Sequence, residues 1–99
     1  MSLNFDPPIH PGEILREQFL EPLDISAGAL AKLLHVPRTR IERIATEQTG
    51  ITPDTALRLA KHFGTTPDVW LNMQMMYDLA IERRAKADEI AAIPERQRA

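Results

Sequence analysis

Four basic side chains crowd into one short stretch of this 99-residue chain. Lys32, Arg38, Arg40 and Arg43 stand against Glu42 alone between residues 26 and 46. Arginine presents two parallel donors that match guanine O6 and N7, and both Arg and Lys pair with phosphate. Thr39, set among them, has the chemistry to bond a base edge or touch a thymine methyl. Catalytic chemistry finds less support. Ser2 and Ser26 are the only serines, and neither has a His and an acid at recognisable spacing. The chain has no cysteine, which excludes a disulfide frame, a thiolate metal site and a thiol nucleophile. No two of His10, His35 and His62 stand three or four residues apart, the spacing a helical histidine metal site needs. His62 reads as a surface residue near a helix end. Gly12-Glu13 reads as the start of a helix. No enzyme, metal or cofactor is expected.

These side chains need elements to hold them. Residues 1–10 carry two prolines and no periodicity, and read as a flexible N-terminal arm. The first helix is expected from Pro11, burying Ile14, Leu15, Phe19 and Leu20 and stopping before Pro22. Ser26 can cap a second helix over about 26–34, which runs through Leu30, Ala31, Leu33 and Leu34. Pro37 suits the first turn of a third helix over about 37–46. Thr52-Pro53-Asp54 starts a fourth, which buries Ala56, Leu57, Leu59, Ala60 and Phe63 and closes at Gly64. Thr66-Pro67-Asp68 repeats the start signal, and nothing breaks the helix that follows until Pro94. No strand-like alternation is present. The expected class is all-α, with five helices and an extended C-terminal one.

The second and third helices are short, each apolar on one face, and joined by the three-residue turn His35-Val36-Pro37. That is a helix-turn-helix. Ala31 supplies the small side chain a steep crossing needs, and Val36 plugs the turn. At 100° per residue, Pro37, Ile41, Ile44 and Ala45 share the core side of the third helix. Thr39 and Arg43 point away from it, with Arg38 and Arg40 on the flanks. A helix entering the major groove reads DNA with such N-terminal, outward positions.

Composition sets the frame for this reading. The chain is 43% apolar and 26% charged, which excludes disorder by composition and supports one modest core. No apolar run approaches the roughly 18 residues a membrane span needs, so a cytoplasmic protein is expected. The net charge of −2 counts against nucleic acid at face value. Locally it does not. Residues 1–25 carry Arg16 against Asp6, Glu13, Glu17, Glu21 and Asp24, a net −4, whereas 26–46 carry +3. On the last helix Val69, Trp70, Met73, Met76, Tyr77, Ala80 and Ile81 form one apolar stripe. Leu71, Met75 and Leu79 form a second. Two stripes imply a second surface to cover, and Leu71, Met75, Met76 and Leu79 are the expected dimer or partner interface.

The chain resembles HigA-type antitoxins, the Xre/Cro-like helix-turn-helix members of toxin–antitoxin modules. The resemblance runs through H-P-G-E-I-L-R-E-Q-F-L-E-P-L (10–23), A-L-A-K-L-L-H-V-P-R-T-R-I (29–41), G-I-T-P-D-T-A-L-R-L-A-K-H-F-G-T (50–65) and P-D-V-W-L-N-M-Q-M-M-Y-D-L (67–79). It implies a λ-repressor-like five-helix domain over residues 11–81, followed by a helix extension and tail over 82–99. It also implies a homodimer on an inverted-repeat operator that represses its own operon. The further partner implied is a HigB-like toxin, a RelE-like mRNA endoribonuclease. By position, Arg38, Thr39, Arg40 and Arg43 fall on base-reading and phosphate-contacting places, with Ser26 and Lys32 beside them on the second helix. Three departures stand out. Ala27 replaces the usual Gln, His35 replaces the usual turn Gly and must take a left-handed backbone, and Glu47 sits in a loop that is usually basic. Two other functions fit the same residues: a stand-alone Xre-like transcriptional regulator, or a module that sequesters a toxin with little DNA affinity.

Overall fold

Side-chain caps from His10, Ser26 and Thr52 set three of the helix starts, and the described residues form six helices. The computed structural model describes residues 7–97, all helix, turn or loop. The first helical run, α1, spans residues 11–23. It is α-helical over Pro11–Ile14, widens to a π-helix over Leu15–Leu20, and is α-helical again over Glu21–Leu23. The run therefore passes through Pro22 instead of stopping before it. In the wider register the Glu21 N–H donates to Arg16 O, five residues back. An α register would demand an N–H at residue 22, which proline lacks, and would press its ring on the preceding turn. The run ends at Asp24, whose φ is 53°.

Ser26 caps α2 (Ala27–Leu34), its Oγ accepting the Ala29 N–H at 3.0 Å. Helix α3 is Arg38–Ala45; Pro37 lies just outside it in extended conformation rather than in its first turn. Thr52 caps α4 (Pro53–Phe63), which closes at Gly64 with φ 72°. The last long helix, α5 (Pro67–Ala85), ends at Lys86, and a short α6 (Ala87–Ala91) follows. The expected single helix to Pro94 is thus broken. From Ile81 onward every described residue is exposed, so no packed face holds the register there.

The core is contributed by all of the first five helices: Leu15 and Leu20 from α1, Leu30 and Leu34 from α2, Ile41 and Ile44 from α3, Leu59 from α4 and Trp70 from α5. Trp70 has no exposed surface, and its indole N–H donates to Thr65 Oγ1 at 2.9 Å. Phe19 lies against both Phe63 and Trp70, with ring centroids 4.6 and 5.2 Å apart. Leu57, expected on the buried side of its helix, is more than half exposed, and so is Leu33. The projecting end of α5 and α6 makes the molecule long, 55 × 25 × 25 Å. Its radius of gyration, 16.6 Å, exceeds the roughly 13 Å of a compact chain this size.

Candidate nucleic-acid interface

The turn between α2 and α3 aims the basic side chains. His35 takes the left-handed conformation expected of it, with φ 61°. Its N–H donates to Lys32 O at 3.3 Å, and the Val36 N–H donates to Ala31 O at 3.0 Å. These bonds satisfy carbonyls that the end of α2 leaves open. Ala31 is buried at the crossing, as the small side chain there requires.

On α3 the residues Ile41, Ile44 and Ala45 are buried, while Arg38, Thr39 and Arg43 are exposed. Lys32 and Ser26 are exposed on α2. Arg38 is open, with 74% of its side chain accessible, and it pairs loosely with Glu42 at 3.4 Å. Its stem lies over Gly28: a Cβ at residue 28 would stand 2.7 Å from Arg38 Cδ. Glycine there lets the arginine lie close to the Ser26-capped start of α2. Arg40 departs from the group. Its guanidinium hydrogen-bonds Asp54 in the first turn of α4. Hydrogen bonds from Arg58 and then from Arg40 hold the Asp54 carboxyl below the usual carboxylate range. Arg38 and Arg43 are exposed on α3, away from its buried Ile41, Ile44 and Ala45, and Lys32 is exposed on α2.

Three further residues position α3, a role the sequence alone did not assign to them. Arg16 Nη1 donates to Ala45 O at the carboxyl end of α3, and also reaches Glu47 Oε2 at 3.3 Å. Glu47, with φ 65°, serves as an anchor for Arg16 instead of an unfavourable charge in the loop. Gly12 lies under α3: a Cβ added there would stand 1.8 Å from Ile44 O. No local signal reveals these contacts, because Arg16 and Ala45 are 29 residues apart.

His10 also belongs to the fold. It was expected in a flexible arm, yet it is 4% exposed and caps α1, its Nδ1 accepting the Gly12 N–H at 2.9 Å. Its ring meets Tyr77 edge-on, 4.8 Å between centroids. Residues 1–6 of the expected arm lie outside the described residues. Burial pushes the His10 pKa down, against the weaker opposing pull of Glu47 and Asp78. A protonated Nδ1 cannot accept the capping bond, so the folded state holds His10 neutral and the unfolded chain binds the proton more readily. The stability this gives is complete above about pH 6.5 and is lost as pH falls through that value towards the lower folded pKa. The loss is at most about 1.4 kcal/mol per pH unit for one proton. Urea midpoints of wild type are expected to fall between pH 7.5 and 5.5. Those of His10→Asn, whose amide oxygen can still cap, should change less; equal slopes would refute the assignment.

Along α5, Met75, Met76 and Leu79 are exposed as expected for an interface. Leu71 is partly buried against the core, and with Gln74, Met75, Asp78, Leu79 and Glu82 it lines a shallow groove. Gln74 accepts the Ile51 N–H at 2.7 Å, fixing the loop after α3 to this helix. His62 is exposed in the last turn of α4. Among the described residues no group of three His, Asp or Glu is arranged to hold a metal ion. None of the described helices is long and apolar enough to cross a membrane.

Comparison with known proteins gives consistent results. A helix-turn-helix family model matches residues 15–70. The chain is 54% identical over 88 residues to virulence-associated protein I of Dichelobacter nodosus, covering 89% of this chain and 82% of that protein. It is 35% identical over 82 residues to antitoxin HigA-1 of Vibrio cholerae, covering 83% and 77% respectively. The solved structure of Pseudomonas aeruginosa antitoxin HigA with the higBA promoter superposes with a TM-score of 0.86 at 44% identity. That match covers 89% of this chain and 96% of the other.

Proposed function

The chain belongs to the helix-turn-helix family, alongside HigA-type antitoxins, and on that premise we propose that it is a DNA-binding antitoxin. It binds the promoter of its own operon as a homodimer, represses it, and neutralises a HigB-like mRNA endoribonuclease. The observation that carries the DNA-binding part is the joint exposure of Arg38, Thr39 and Arg43 on the outward face of α3. In this reading Arg38, Thr39 and Arg43 enter the major groove, while Ser26 and Lys32 meet phosphates beside it. The similar Pseudomonas aeruginosa structure, which contains promoter DNA, supports it. Repression follows by occlusion, with two copies of α3 about 34 Å apart on successive turns of an inverted repeat.

Met75, Met76 and Leu79, with the exposed edge of Leu71, give the second copy an apolar surface on α5. The domain extends over residues 11–81 with His10 joined to it, and residues 82–97 form an appended segment. The protein acts by binding and not by catalysis, in the cytoplasm where its operon is transcribed.

The test is a titration of a labelled fragment from upstream of the protein's own gene, against a scrambled fragment, between 50 and 200 mM salt. Lys32 from each of two protomers gives two phosphate neutralisations, so the log–log salt slope should be about −1.8 or steeper, with clear preference for the native fragment. Equal affinity for both fragments, or a slope near zero, would remove the proposal.

A further inference from the structure

The geometry points to Arg40 as a positioning residue that locks the helix-turn-helix, and not as a DNA contact. This rests on the DNA-binding reading above. Its sequence position, two residues from Arg38 and three from Arg43, groups it with the reading side chains. Its guanidinium goes elsewhere. It bonds Asp54 Oδ2, and the same oxygen accepts from Arg58 Nε at 3.0 Å. Arg58 Nη1 in turn donates to Leu34 O at 2.9 Å and His35 O at 3.5 Å.

The result is a continuous chain of charge-assisted bonds through three elements. It starts in the N-terminal half of α3, crosses the first turn of α4, and ends on the last carbonyls of α2. Those carbonyls flank His35, the non-glycine residue that holds the turn at positive φ. An isolated surface ion pair holds little, but a carboxylate shared by two guanidinium groups fixes both of them. Arg40 is also the more enclosed arginine, with 39% of its side chain accessible against 74% for Arg38. To reach a phosphate it would have to leave Asp54, whose carboxylate would then be held by Arg58 alone. The angle between α2 and α3, on which the placement of Arg38 and Arg43 depends, is what this network sets.

Two variants test it against the wild-type salt titration. Arg40→Gln is expected to weaken binding to the native fragment by about tenfold, the size of one displaced recognition contact, with the salt slope unchanged. A phosphate contact predicts instead a slope shallower by about 1.8 for two half-sites, which would overturn the inference. Asp54→Asn should reproduce the Arg40→Gln loss, since both break the same network. If Asp54 merely competes with DNA for Arg40, the Asn variant will bind more tightly with a steeper slope, and the inference fails. Wild type that does not prefer the native fragment would defeat the underlying reading instead, so the two failures are distinguishable.

Discussion

A chain carrying both Arg38→Glu and Arg43→Glu is expected to keep its helical circular dichroism and to lose measurable promoter binding. The two effects differ greatly in size. Both positions are exposed on α3, and the one ion pair there, Arg38 with Glu42, spans 3.4 Å between accessible side chains. Turning it into a like-charged pair four residues apart costs the fold only about 0.2–0.5 kcal/mol. At the DNA, each arginine that meets a base edge contributes about 1–3 kcal/mol of discrimination, and two protomers double the number. The sum, roughly 4–12 kcal/mol, matches or exceeds the whole gap of about 4–10 kcal/mol between specific and non-specific binding. Glutamates facing phosphates add repulsion. Promoter binding should therefore vanish in a mobility-shift titration at low salt, without a change in the thermal midpoint beyond a few degrees. Retained binding would mean that α3 is not the reading helix.

Most helix starts were legible because capping is local. Ser26, Thr52 and Gly64 act within a few residues of the ends they mark, and the sequence shows each of them in place. The left-handed His35 was legible too, through the family resemblance that puts a glycine at that turn position. What escaped notice depends on contacts distant in sequence. Pro22 read locally as a stop, and only the burial of Leu15 and Leu20 in a core built with other helices accounts for α1 continuing through it. Arg16 reads locally as a lone base in an acidic segment, yet it closes the end of a helix 29 residues away. Glu47 reads as a misplaced charge until Arg16 is beside it. Arg40 and Asp54 are 14 residues apart, and only the packing of α4 on the turn makes them partners. Outward-facing arginines were recognisable from helical periodicity; which of them has a protein partner was not.

The same kind of distant contact decides the effect of Gly12→Ala, expected to lower stability by about 3 kcal/mol or more. Local physics argues the other way. Alanine is favoured over glycine inside a helix by about 0.8–1.0 kcal/mol, and less in a first turn. The added Cβ, however, would lie 1.8 Å from Ile44 O and 2.9 Å from Ile44 C, both backbone atoms. No side chain can rotate aside to make room. That carbonyl also accepts the Glu47 N–H at 2.9 Å, so moving it disturbs the loop that anchors Arg16. The remaining response is for α1 to separate from α3, which loosens the packing of Leu15 and withdraws the Arg16 bond from Ala45 O. Overpacking costs about 1–3 kcal/mol even where side chains can shift, so a clash between two backbones outweighs the propensity gain. For a domain this size the thermal midpoint should drop by at least about 12 °C, at roughly 4–8 °C per kcal/mol. Promoter affinity measured well below that midpoint should fall as well, because α1 holds the reading helix from behind. A variant as stable as wild type would show that α1 and α3 are not packed this closely, and that Gly12 serves only to begin a helix.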